Sequence, residues 1–110
     1  METDTLMMPS NLPIAIHRDQ LREICRRYGI RELALFGSVL RDDFTDQSDI
    51  DVLCTLLPDS PARGMAWIRL MLTLEDLWGR RVDLVKPSRL DPLIRDDVLR
   101  EAKPIYVALP

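Results

Sequence analysis

Two cysteines, one histidine and no excess of positive charge set the first limits on this chain. Cys25 and Cys54 lack metal-ligand spacing, and with His17 as the single histidine the residue set argues against a zinc site. Two thiols without a disulfide framework fit a reducing cytosol, hence a cytoplasmic protein in which both serve as small buried hydrophobes. A net charge of −3 and a pI near 5.1 argue against direct nucleic-acid binding, which needs a basic surface. No apolar run approaches the length that crosses a bilayer. Met1 to Asn11 lacks a basic region followed by an apolar one, so it does not read as a signal peptide. Internal repeats and low-complexity tracts are also missing.

What is present is an ordinary globular composition, 46% hydrophobic and 30% charged over 110 residues, enough for one core. We expect a flexible segment over residues 1–12, broken by Pro9 and Pro13, and a single domain over 13–110. The chain is organised around residues 37–51: Gly37-Ser38, ten residues, then Asp49-Ile50-Asp51, with strand-like sequence on either side. Residues two apart on a strand share a face, so Asp49 and Asp51 present carboxylates side by side, their Cα atoms about 6–7 Å apart. Such like charges repel unless a cation sits between them, and a hard ion such as Mg²⁺ takes oxygen ligands while leaving positions for phosphate. Gly37-Ser38 falls where the first strand turns, and backbone N–H groups there, helped by the Ser38 hydroxyl, can hold phosphate oxygens. Carboxylates beside anion-holding donors point to nucleoside triphosphate chemistry.

These residues resemble the signature of the DNA polymerase β-like nucleotidyltransferase superfamily, specifically its minimal nucleotidyltransferase (MNT) branch. The likeness runs from about Leu21 to Tyr106. It rests on Leu35-Phe36-Gly37-Ser38-Val39-Leu40-Arg41, Ser48-Asp49-Ile50-Asp51-Val52-Leu53, Arg81-Val82-Asp83-Leu84-Val85 and Leu99-Arg100-Glu101-Ala102-Lys103-Pro104-Ile105-Tyr106. Gly-Ser alone is weak and Asp-x-Asp is common; the two at this spacing, followed by a third strand-borne aspartate, are specific. The resemblance implies Mg²⁺, with room for two ions, held by Asp49, Asp51 and Asp83, and ATP as substrate. It makes Asp83 the third member of a catalytic triad, helping to deprotonate the attacking hydroxyl. It also implies an antitoxin that pairs with a small helical HEPN ribonuclease and silences it by moving AMP onto a tyrosine. A stand-alone enzyme acting on a small molecule would use the same triad, and a non-catalytic antitoxin would act by binding alone. Homo-oligomerisation stays open.

The expected fold is α/β (α+β): a mixed sheet of about four strands packed with helices, as in the polymerase palm. Leu21, Ile24, Cys25 and Tyr28 recur at helical spacing, with Glu23 and Arg27 paired outside and Gly29 ending the helix. Strands follow over 31–36, 49–56 and 80–86, with a tight turn at 38–42 and a polar loop over 43–48. Asp59-Ser60-Pro61 reads as a helix start, Ser60 at the N-cap, with the helix running to Trp78. That helix, 61–78, is apolar nearly all round, so it is either wedged centrally or covered by a partner. Asp91-Pro92 opens a last helix to about Ala102 with Leu93, Ile94, Val98 and Leu99 inward, and Ile105 to Ala108 reads as an edge strand.

Each candidate has a plainer reading. Asp49 and Asp51 could be polar residues at a strand mouth, but aspartate disfavours strands and two at alternate positions call for a reason. Asp83, flanked by Val82 and Leu84, could instead pair with Arg80 or Arg81. Gly37 and Ser38 could form an ordinary strand-to-helix turn. Arg41 matches the family's Gly-Ser-x-x-Arg pattern, where it would neutralise phosphate charge; it could as well pair with Asp42, Asp43 or Asp46. Ser48, a candidate nucleotide contact, reads better as a residue that shapes the loop through its hydroxyl. His17 is expected to be exposed, and Trp67 and Trp78 to anchor core or interface.

Overall fold

A computed structural model describes residues 4–6 and 11–108. Its elements in order are β1 (Asp4–Leu6), α1 (Arg18–Arg27), β2 (Ile30–Phe36), a 3₁₀ turn (Gly37–Leu40), β3 (Ile50–Leu56), α2 (Met65–Trp78), β4 (Val82–Val85), a second 3₁₀ turn (Pro87–Arg89), α3 (Pro92–Glu101) and β5 (Lys103–Ala108). The strands form one mixed sheet in the order β1-β5-β2-β3-β4. All neighbours are antiparallel except β3 and β4, which run parallel and are joined through α2. Among the described residues, no helix is long and apolar enough to cross a membrane.

The two sheet faces are unequally covered. On one, Ile50, Val52 and Cys54 of β3 join Leu33, Leu35, Val82 and Leu84, and α1 and α2 close over them with Leu21, Ile24, Cys25, Leu70, Leu74 and Trp78. Period-2 alternation in the strands and 3.6-residue periodicity in the helices therefore meet in one large core. Both cysteines are buried there, and burial pushes the Cys54 thiol up to about 12, which keeps it protonated and inert. Among the described residues, the opposite face buries a cluster of Ala34, Leu53 and Leu90, with Phe36, Val85, Val98 and Ala102 packed at its margin. This thinly covered face is the one on which Asp51 and Asp83 lie.

Several expectations change. β5 is no edge: it lies between β2 and β1, because Asp4–Leu6, inside the segment expected to be flexible, pairs with Tyr106–Ala108. Residues 1–3 and 7–10 of that segment lie outside the described residues. In α3 the expected inward residues Leu93, Ile94 and Leu99 are exposed, Leu93 at 89%, and only Val98 turns towards the sheet. Within α2, Leu70, Leu74 and Trp78 are buried while Met65, Ile68 and Leu72 form an exposed strip, so the helix is not wedged between two layers.

Helix α2 also starts later than the Ser60-Pro61 signature suggests. Gly64, with φ +60°, separates Met65 from the preceding turn. Ser60 caps that turn instead: its buried hydroxyl donates to the Tyr28 carbonyl at 2.6 Å and accepts from Ala62 N–H at 3.0 Å. It thereby ties the end of α1 to the start of the α2 segment. Ser60→Ala is expected to cost about 1–3 kcal/mol, since a buried carbonyl and amide lose their partner together. Urea denaturation checks this; a loss below roughly 0.5 kcal/mol would show that solvent replaces the hydroxyl.

Candidate functional site

Asp51 is the second residue of β3, in register with Phe36 of β2 on one side and with Asp83 of β4 on the other. Register partners in a sheet share a face, so the side chains of Asp51 and Asp83 stand next to each other. Asp49 lies just before β3, two residues from Asp51, and is exposed at the same end of the parallel pair. It lines a cleft of about 230 Å³ with Ser48, Arg80 and Arg81. Asp83 is exposed, where its flanking Val82 and Leu84 suggested burial: those two neighbours belong to the core on the opposite face, and the small cluster on its own face takes in Leu53 and Val85 but not Asp83. Among the described residues it forms no ion pair: Arg80 is committed elsewhere.

The electrostatics follow from this placement. Partial burial pushes the Asp51 carboxyl above the ordinary carboxylate value, the charges of Asp83 and Asp49 push it further, and Arg41 pulls it back. Three all-oxygen donors whose repulsion is already felt at the central residue match the chemistry of a hard divalent cation. As the side chains stand, no three His, Cys, Asp or Glu groups among the described residues could enclose a metal ion. The match is therefore in donor type and shared face, not in a closed cage.

Gly37 begins the 3₁₀ turn where β2 ends, with φ +74°, and a Cβ there would run into the Asp51 carboxylate. Only glycine allows the turn to approach the acid so closely. Its N–H donates to Glu101 Oε1 at 3.2 Å, and Arg41 Nη2 donates to both Glu101 oxygens, at 3.1 and 3.2 Å. Arg41 thus pairs with neither Asp42, Asp43 nor Asp46. Glu101 is the residue that sequence reasoning missed; it stands in the matched stretch 99–106, but nothing local connects it to a turn 64 residues away.

The loop between the turn and β3 is built from within. Ser48 Oγ accepts from Thr45 N–H at 2.9 Å, as expected of a loop-shaping serine. Arg80 donates to the Thr45 carbonyl at 2.9 Å, lies 3.6 Å from Asp46 and stacks 4.6 Å over Phe44. The loop that delivers Asp49 is thereby fastened to the end of α2.

The chain is similar to known proteins over most of its length. The family model described as a nucleotidyltransferase domain matches residues 17–105. A protein adenylyltransferase, MntA, of Thermococcus cleftensis is 39% identical over 94 residues, 86% of this chain and 88% of its own. A solved structure provisionally assigned as a minimal nucleotidyltransferase superposes with a TM-score of 0.66 at 38% identity, covering 80% of this chain and 88% of that one. A toxin–antitoxin structure with AMP-PNP gives a TM-score of 0.63 at 20% identity, covering 81% of this chain and 72% of that one; at that identity the likeness is one of fold.

Proposed function

Because the chain belongs to the nucleotidyltransferase domain family, we propose that it transfers AMP from ATP, with Mg²⁺, onto a tyrosine of a small helical HEPN ribonuclease and thereby acts as that toxin's antitoxin. The observation that carries the reading is the pairing of Asp51 with Asp83 across the parallel strands, on the uncovered face and against the Gly37 turn. The adenylyltransferase relative supports a protein acceptor, and the toxin–antitoxin neighbour shares the fold.

In this reading Asp49, Asp51 and Asp83 hold Mg²⁺, which when bound neutralises phosphate charge and acidifies the acceptor hydroxyl. Ser38 and Arg41, on the turn that Gly37 makes possible, bind the triphosphate, while Ser48 keeps the loop in shape to present Asp49. Asp83, exposed beside Asp51, takes the tyrosine proton as the phenolic oxygen attacks the α-phosphorus in line. The new O–P bond forms as the bond to pyrophosphate breaks, and pyrophosphate leaves with its charge met by the turn and Arg41.

The partner's docking surface is the exposed strip of α2, Met65, Ile68 and Leu72, which nothing else in the described chain covers. Co-expression with a helical HEPN protein should give a co-purifying pair, and incubation with ATP and Mg²⁺ should leave an AMP adduct on a tyrosine, read by mass spectrometry. Ile68→Asp should weaken co-purification by at least about tenfold while the chain stays folded. Transfer to a small molecule and to no protein would favour the stand-alone enzyme. Triad variants that still neutralise the toxin would leave binding alone as the antitoxin activity.

A further inference from the structure

Glu101 is the last residue of α3, where a carboxylate is electrostatically disfavoured by the negative end of the helix. Its place there calls for compensation, and the compensation comes from the candidate nucleotide site. Two residues past the last β2–β5 pair, Leu35 with Lys103, the Gly37 N–H meets Glu101 Oε1 rather than strand backbone. Both carboxylate oxygens then grip one atom of Arg41, its Nη2. A guanidinium carries five N–H donors in a rigid plane, so gripping one edge orients the others. Arg41 is itself 56% exposed at the side chain, leaving its remaining donors accessible from solvent.

We propose that Glu101 is a positioning residue for nucleotide binding: it pins the Gly37 corner and holds Arg41 alongside it, free donors open to the triphosphate. This rests on reading the Gly37–Ser38 turn as the phosphate site. Glu101 itself does not touch substrate. A carboxylate cannot contact phosphate favourably, and its role is to lower the cost of ordering an otherwise exposed arginine.

The test is calorimetric titration of the intact protein with AMP-PNP and Mg²⁺, with thermal melts run on every variant. Glu101→Ala should weaken binding about tenfold, the scale expected for losing a charge-assisted contact. Arg41→Ala should weaken it by a similar factor, and the Arg41→Ala/Glu101→Ala double variant by clearly less than the product of the two single losses, since the two residues share one contact. In transfer assays the Glu101→Ala loss should appear in KM, with kcat held within about threefold. Glu101→Gln, which still accepts from both donors but lacks the charge, should rescue part of the affinity and carries the test if Glu101→Ala does not fold. Binding by Glu101→Ala or Glu101→Gln as tight as wild type or tighter would overturn the proposal, as would losses that multiply in the double variant. A wild-type protein that binds no AMP-PNP would instead overturn the phosphate reading itself.

Discussion

Asp51→Asn is expected to reduce nucleotidyl transfer by roughly a thousandfold or more, while making the folded protein more stable at neutral pH. The activity loss follows from its central position: it is the acid flanked by Asp49 in sequence and by Asp83 across the ladder. The stability gain follows from the direction of its pKa. Burial, then Asp83, then Asp49 raise it above the ordinary value of 3.8, against the opposing pull of Arg41. A carboxyl whose folded value is raised favours folding while it is protonated, below its unfolded pKa. That contribution is lost as pH rises through the folded value. At neutral pH the ionised Asp51 is therefore a net cost, and asparagine removes it. Melting curves should place Asp51→Asn above wild type at pH 7, with the gap closing as pH falls towards 3.8. Asp49→Asn should also abolish transfer. Added Mg²⁺ should raise the wild-type Tm and leave that of Asp51→Asn unmoved. Retained turnover, or a variant less stable than wild type at neutral pH, would remove Asp51 from the centre of the chemistry.

That the three acids could be singled out in the sequence is a consequence of strand geometry. Asp49 and Asp51 stand two apart, and the alternation of Asp83 between Val82 and Leu84 gave its face, though the exposure of that face depends on what packs against it. The α1 periodicity with Gly29 at its end and the apolar face of β3 were legible for the same reason. What escaped depends on how distant pieces meet. The exposure of Leu93, Ile94 and Leu99 could not be read from a pattern that looks amphipathic, because only the later part of α3, at Val98, and Ala102 reach the small residue Ala34 and Leu53. Ser60 gave a true capping signal, but a hydroxyl that accepts from an amide two residues on serves a turn as well as a helix. The edge assigned to β5 failed because its partner is three residues long, too short to show a period. Glu101 had no local signal at all, and its partners at Gly37 and Arg41 are supplied by the fold.

Gly37→Ala is expected to cost about 1–3 kcal/mol of stability and to lower transfer by about a hundredfold. Two effects act at this position. The backbone at φ +74° is in the left-handed region, where a Cβ is strained, and that Cβ would also run into the Asp51 carboxylate. Gly79 separates them, since it has a similar φ of +65° but nothing within 4 Å of where its Cβ would sit. Gly79→Ala should therefore carry the backbone strain alone, about 1 kcal/mol as at other helix ends, with transfer within about twofold of wild type. The difference between the two variants measures what the turn does to Asp51. If Gly37→Ala instead keeps activity close to that of Gly79→Ala at equal stability, the acid can shift aside without loss. The close approach of turn and carboxylate would then be a packing detail and not the joint on which the site is built.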